Sequence, residues 1–535
     1  MVQFPLLSVI IFLPVVAGLI SLLLPSGWAK PWALVWAIVD LILAIILVAQ
    51  FDITQTGFQH TETITDWIPA LGISYSVGVD GISVFLVLLT TLMTAVAVGA
   101  SLWSIDTRVK EYMALMLLLE TGVLGVFLST NLFLFYVFWE VMLIPAYFLI
   151  GAWGGPRRVY AAIKFVLYTA VGSLLMLVGI ISLGVIHQLN AGPNAGFTLD
   201  LTQIMNTSLT NTEGILIFLA FFAAFAVKVG LVPLHSWLPD AYAEAPTPVT
   251  IMLSSVMTKT AAYGFIRFCV GLLPGPTHTL VPLMEILAVI SILYGAVQAL
   301  VQTDFKRLIA YSSISHLGVV ILGIFALNSQ GLEGGVLQMV NHGITIGALF
   351  LIAGYLEART GTRKLEDYGG QALRWPALAV VFLIAALSSL GLPGLNSFAG
   401  EFLALLGTFH ANMVYGVLGT LVVIPAAWYL LRFFQSVMHG REPDRGPVVA
   451  AERKGLAVDL ERHELLVLLP LLLLIFYIGF FPGQLTNAMQ NSVNHLPGVQ
   501  TTGAAPPAIV SHTQPSAQNS HAERHDVVLV FERGA

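Results

Sequence analysis

The stretch Val227–Gly264, VKVGLVPLHSWLPDAYAEAPTPVTIMLSSVMTKTAAYG, decides how the rest of the chain is read. An apolar helix carries Lys228, breaks at Pro233, and resumes through the polar knot His235-Ser236-Trp237-Leu238-Pro239-Asp240. A second apolar helix then buries Lys259. A lysine at bilayer depth costs about 2.5–3.5 kcal/mol on insertion scales. Two of them in an otherwise hydrocarbon-like segment call for a purpose. Unwound backbone is tolerated at that depth only where it faces protein or a water-filled path, so a broken helix beside buried charge points to ion movement.

The wider composition agrees. The 535-residue chain is 57% hydrophobic and 10% charged, where soluble domains run to about a quarter charged. This predicts an all-α polytopic membrane protein. Cys269 is the only cysteine, which excludes an intrachain disulfide, a four-thiolate iron–sulfur cluster and a CxxCH haem attachment. Neither GxGxxG after a strand nor GxxxxGK[ST] occurs, so no nucleotide, redox-cofactor or metal site is expected on this chain. Phe4 to Leu24 lacks a basic n-region and a small-residue cleavage site, and reads as the first transmembrane helix rather than a signal peptide.

Apolar windows of about 20 residues predict fourteen spans: 4–24, 31–50, 79–103, 111–129, 131–151, 160–187, 214–244 (broken), 249–272, 279–302, 306–327, 334–358, 375–409 (broken), 412–438 and 463–482. Basic residues test that count. Loops after odd-numbered spans hold Lys30, Arg108, Lys110, Arg157, Arg158, Lys306, Arg307, Arg359, Arg363, Lys364, Arg374, Arg441, Arg445, Arg453, Lys454 and Arg462. Loops after even-numbered spans hold none. The positive-inside rule puts the odd-to-even loops on the cytoplasmic side and both termini opposite.

Spans 7 and 12 are both broken, the second at Leu390-Gly391-Leu392-Pro393-Gly394-Leu395, and each carries an ionisable group near its break. They lie five spans apart, an odd number, so units 4–8 and 9–13 have opposite orientation, as in inverted-repeat transporters. The expected organisation is therefore helices 1–3 (residues 1–110), a first five-helix repeat (111–272), a second (279–438), a loop and helix 14 (439–483), and a polar tail (484–535). The tail's composition reads as disordered or partner-bound.

Several ionisable groups fall inside spans. Glu140 lies nine residues into span 5, roughly 14 Å deep at 1.5 Å per residue. Glu120 is similarly placed in span 4. Lys164 enters span 6, His235 follows the break in span 7, His316 and His342 lie in spans 10 and 11, and Glu401 in span 12. One or two per helix, they can line up across the protein within the membrane plane. An opposite charge holds a buried lysine protonated, and withdrawing it releases the proton, so a Glu140–Lys228 pair would act as a switch. Histidines between such sites relay protons. The plainer readings are a structural ion pair for Glu140 and Lys228, snorkelling for Lys164 and hydrogen-bonded core residues for the two histidines.

Four stretches carry a resemblance: Asn131–Gly154, Val227–Gly264, Asp304–Gly318 and Ser388–Phe402. Over roughly residues 80–440 the chain resembles the antiporter-like membrane subunits of respiratory complex I, a family shared with Mrp-type sodium/proton antiporters and membrane-bound hydrogenases. The resemblance implies a proton channel in which Glu140 and Lys228 form the input, Lys259, His316 and His342 the relay, and Glu401 the terminal site. Glutamate rather than lysine at 401 is similar to the M-type branch, chain 4 of the quinone oxidoreductases. The wording of FYVFWEVMLIPAYFLIGAWGG and SLGLPGLNSFAGEF looks like the cyanobacterial and plastid form. That implies partner membrane subunits, iron–sulfur clusters elsewhere in the complex, NAD(P)H or ferredoxin as donor, plastoquinone as acceptor and a thylakoid membrane. An Mrp-type antiporter subunit and a non-pumping scaffold are the alternatives.

Overall fold

The computed structural model describes residues 4–68, 73–192, 196–441 and 459–500. Arg445, Arg453, Lys454 and the tail from residue 501 lie outside the described residues. The chain is a bundle of helices: α1 (Leu6–Leu23), α2 (Ser26–Gln50), α3 (Val84–Ser104), α4 (Val109–Leu128), α5 (Leu132–Val141), α6 (Leu143–Trp153), α7 (Arg158–Ala191), a short α8 (Leu201–Ile204), α9 (Asn211–Val229), α10 (Trp237–Glu244), α11 (Thr247–Met252), α12 (Thr258–Gly264), α13 (Pro274–Val301), α14 (Phe305–Phe325), α15 (Ser329–Thr360), α16 (Pro376–Ser389), α17 (Asn396–Ala411), α18 (Met413–Thr420), α19 (Val423–Met438), α20 (Arg462–Phe480) and α21 (Gly483–Asn494).

Thirteen stretches are long and apolar enough to cross a membrane. The predicted twelfth span is absent from that set because its break divides it into α16 and α17, with neither half reaching 18 residues. The expected count of fourteen spans therefore becomes thirteen membrane-length stretches and the α16–α17 pair at the second break. The protein is thus a multi-pass integral membrane protein. Short polar punctuation separates neighbours that nearly touch in sequence. At Ser129-Thr130-Asn131 the Asn131 side chain accepts from Phe133 N and Leu134 N, at 3.0 and 3.2 Å. It thereby satisfies donors that a helix start leaves open. Asp304 does the same for Lys306 N and Arg307 N at the start of α14, and Thr210 with Glu213 forms a capping box for α9.

The loops sort to two ends of the bundle. At one end Lys30 meets Asp106, Trp153 Nε1 donates to Thr107 O, Arg307 meets Asp240, Arg363 meets Asp304 and Arg359 meets Glu464. These groups belong to loops following odd-numbered spans or to the helix ends beside them. At the other end lie two features that composition hid. Residues 51–78, expected as a plain loop, contain an antiparallel hairpin of β1 (Gln59–Ile68) and β2 (Ile73–Val79). Its Glu62 accepts from Leu7 N and Ser8 N at 2.8 and 3.0 Å, placing a carboxylate at the N-terminus of α1, where the helix dipole favours it.

The polar tail, expected to be disordered or partner-bound from residue 484, begins instead as helix α21. Leu485, Ala488, Met489 and Val493 form its buried face, and Ser492 Oγ accepts from Gly81 N at 2.9 Å. An apolar residue every three or four positions builds a docking stripe that an average over fifty mostly polar residues conceals.

The centre of the bundle is formed by α11, α12, α14 and α15, which are almost wholly enclosed by protein, whereas α1, α2, α7 and α18–α20 expose apolar side chains outward. The helix containing Lys259 is irregular. π-helical turns at Leu253–Met257 and Phe265–Val270 flank α12. Such turns interrupt the regular ladder and recur at functional sites.

Candidate functional site

The first break ends α9 at Gly230, whose φ of +81° is the left-handed geometry that favours glycine. Lys228 therefore sits in the last turn, where uncapped carbonyls favour a cation. It is 1% exposed and its Nζ makes no hydrogen bond with a protein group. Its Nζ lies 4.0 Å from the ring centroid of Trp139, a position that stabilises the protonated form by about 2 kcal/mol when desolvated. The expected Glu140–Lys228 contact pair is not formed at 4.0 Å or less among the described residues. Glu140 follows Trp139 directly in α5, and its Oε1 is buried without a hydrogen bond to a protein group. The geometry is a cation on an aromatic face with a carboxylate nearby. Glu140 lies where α5 gives way to α6 at Met142. Pro145, just beyond, has no N–H to continue the ladder.

Lys259 is fully buried. Its Nζ donates to Ser254 O and lies 2.7 Å from His342 Nδ1. That approach depends on close packing of α15 against the Lys259 helix. A Cβ on Gly343 would stand 2.8 Å from Ser255 O, and one on Gly347 would stand 3.0 Å from Ser255 Oγ. The small-xxx-small spacing thus acts as a packing device that brings His342 to the lysine.

The His342 and His316 rings have centroids 6.0 Å apart. His316 Nδ1 lies 2.6 Å from Glu401 Oε1, and Gln338 Nε2 donates to the same oxygen at 2.9 Å. Tyr429 Oη lies 3.3 Å from His316 Nε2 and 2.9 Å from Ser312 Oγ. Four residues expected from sequence therefore form one line, Lys259–His342–His316–Glu401, contributed by four different spans. Gln338 and Tyr429 complete it. They were missed because a neutral amide or phenol in an apolar helix carries no charge signal.

The remaining candidates fall elsewhere. Lys164, near the basic end, places its Nζ 2.8 Å from Asp240 Oδ2. Asp240 also meets Arg307 at 2.5 Å and Arg157 at 3.9 Å, so this carboxylate, part of the polar knot, anchors three spans. Glu120 pairs with neither Lys164 nor Glu140; it faces Asp40 of α2. His235, 8% exposed, packs edge-on to Tyr294 with centroids 5.0 Å apart, and its Nδ1 makes no hydrogen bond with a protein group. A cavity of 430 Å³ at the basic end is lined by Trp153, Glu244, Lys306, Tyr355, Glu357 and His463, among others.

Thirteen membrane-length stretches, two helix breaks and buried lysines, histidines and a glutamate together have the make-up of an antiporter-like membrane subunit. Residues 129–424 match the family model described as NADH:quinone oxidoreductase/Mrp antiporter, TM. The chain is 40% identical to NADH-quinone oxidoreductase subunit M of Rhodobacter capsulatus over 506 residues, 92% of this chain and 96% of that one. It is 36% identical to NADH-ubiquinone oxidoreductase chain 4 of Marchantia polymorpha over 494 residues, 92% of this chain and 96% of that one. Among solved structures, a chain of respiratory complex I from Thermus thermophilus superposes with a TM-score of 0.79 at 33% identity, covering 92% of this chain and all of that one. The chain belongs to the subunit M/chain 4 family of the NADH-quinone oxidoreductases, whose members are built into complexes with other membrane subunits.

Proposed function

We propose that this chain translocates protons as a membrane subunit of an NADH-quinone oxidoreductase, with electron transfer carried out by other subunits. The supporting observation is the line Lys259–His342–His316–Glu401, with contacts of 2.7 and 2.6 Å at its ends. Each member binds or releases one proton, and burial excludes bulk water that would short-circuit the transfer. Lys228 on Trp139, with Glu140 beside it, is the input: movement of Glu140 changes how firmly Lys228 holds its proton. The cavity at the basic end supplies water to this half of the path, and Glu401 ends it. Spans 4–8 and 9–13 act as two inverted units around the lysines. The decisive experiment is donor-driven proton uptake in membranes carrying Lys228→Ala or Lys259→Ala, normalised to assembled complex. Loss of pumping with assembly intact fits the path. Unchanged pumping in both variants refutes it and leaves the scaffold reading.

The names of the relatives favour NADH as electron donor and a quinone as acceptor. A narrower reading, resting on the wording of Asn131–Gly154 and Ser388–Phe402, puts the complex in a thylakoid, with ferredoxin or NAD(P)H as donor and plastoquinone as acceptor. Assaying the complex with each donor and quinone separates the two. Sodium-dependent exchange would instead favour the Mrp-type alternative, against which Glu401 stands.

A further inference from the structure

Asp40 lies near the middle of α2 and Glu120 near the middle of α4. At 1.5 Å per residue they are about 15 and 12 Å from the last residue of each helix, so both are deep in the bilayer. Both are wholly buried. All four carboxyl oxygens are buried and form no hydrogen bond with a protein group. The two side chains face each other, and each is the one ionisable group that acts on the other. Among the described residues no cation makes an ion pair with either carboxyl group. Of the other helices packed on α4, α5 carries Glu140 and α12 carries Lys259, while α1 and α3 contain no Asp, Glu, Lys or Arg. What they offer is neutral: Thr94 of α3 stands near Glu120. One turn from Asp40 on the same helix, Trp36 has a buried Nε1 with no hydrogen bond to a protein group.

Two carboxylates facing one another in hydrocarbon cannot both be ionised without a cation. Packing alone does not explain them, since buried polar groups ordinarily find partners. We propose that Asp40 and Glu120 form a proton-holding pair beside the central line, keeping at least one proton at neutral pH and exchanging it with water during turnover. Loss of that proton leaves one additional negative charge on the pair, and nothing is oxidised or reduced. The charge is felt at the central line because α4 packs against α12, which carries Lys259. Thr94 Oγ1 also touches Met252 Sδ at 3.7 Å, at the end of α11 in the same span. An anionic pair favours the ammonium form of Lys259, and a neutral pair favours the amine. The pair therefore works as a side store that biases the relay, and this deepens the proton-translocation reading on which it rests.

The test is infrared difference spectroscopy, reduced minus oxidised, on the intact complex carrying wild-type chain, Asp40→Asn or Glu120→Gln, together with proton yield per electron. The expected result is a carboxylic-acid carbonyl signal in the wild type that shifts in D₂O and is lost or displaced in both variants. Proton yield should fall at least threefold in each, with complex abundance unchanged. A wild-type spectrum with no signal sensitive to both substitutions overturns the pair, as does wild-type proton yield in both variants. If Lys259→Ala abolishes pumping while both carboxyl variants pump normally, the side store is refuted and the central path stands. If Lys259→Ala also pumps normally, the functional reading itself fails.

Discussion

His316 Nδ1 and Glu401 Oε1 are 2.6 Å apart in the enclosed centre of the bundle, and Gln338 holds the same carboxylate oxygen from the other side. Glu401 belongs to the second turn of the half-helix that follows the second break, whereas Lys228 belongs to the last turn of the half-helix that precedes the first. The sign of each charge suits the end of the half-helix it sits near, more weakly for Glu401, because the dipole effect fades beyond one turn. The two breaks are thus used in opposite senses, one to place a cation and one to place an anion.

Glu401→Gln keeps the side-chain shape and the contact with His316 but removes the group that binds and releases a proton. A positioned proton-transfer group contributes about 10²–10⁴-fold, so proton release is expected to slow by on the order of 100-fold while the complex still assembles. His316→Ala should cost a similar factor, and the double variant should cost little more, because both interrupt one step. Multiplicative losses in the double variant would show that the two residues serve separate routes.

Lys228 rests on Trp139 rather than in a salt bridge, so the aromatic ring is expected to matter as much as the carboxylate. Trp139→Leu removes about 2 kcal/mol of cation–π stabilisation, roughly a 30-fold change in how firmly the ammonium is held. Proton yield per electron should fall clearly in Trp139→Leu and much less in Trp139→Phe, which retains a π face. Equal yields in the two variants would reduce the contact to packing. Lys228→Arg should not rescue pumping, because a guanidinium stays charged throughout.

The sequence made the spans and most of the charged line legible because charge in hydrocarbon is expensive and therefore conspicuous. Lys259, His316, His342 and Glu401 stand out for that reason. Pairings were harder to read. Lys164 gave no hint that its partner would be Asp240, 76 residues away, because span order along the chain does not fix which helix faces which. Asp40 escaped notice inside a second span otherwise read only for hydropathy. The hairpin at 59–79 and helix α21 were hidden for a different reason, since both are short and stabilised by docking onto other elements rather than by strong patterns of their own.

At Gly343 α15 closely approaches the Lys259 helix, with Ser255 O 2.8 Å and Leu89 Cδ2 2.7 Å from the position of an added Cβ. One of those neighbours is backbone and cannot swing aside. Gly343→Val is therefore expected to destabilise by about 1–3 kcal/mol through overpacking and to widen the Lys259–His342 contact. A lower thermal transition of the purified complex, together with reduced proton yield, is the expected result. A substitution that is silent in both measurements would mean that the helices separate freely here.

Asp240, the carboxylate of the polar knot, meets Lys164 of α7, Arg157 at the start of α7 and Arg307 of α14. Asp240→Asn keeps the volume but removes the charge, leaving Lys164 and Arg307 with side chains only 19% and 24% exposed and no compensating anion at this point. Removing one partner of a fully buried pair costs about 3–5 kcal/mol. Partial solvation of these two cations reduces the expected loss to about 2 kcal/mol. The abundance of assembled complex should drop in the single variant. Adding Lys164→Met to Asp240→Asn removes one stranded cation and should recover part of the loss, since an apolar side chain of similar length suits the site. If the double variant is less stable than Asp240→Asn alone, Lys164 stabilises the bundle by contacts other than its ion pair, and Asp240 is not what holds it.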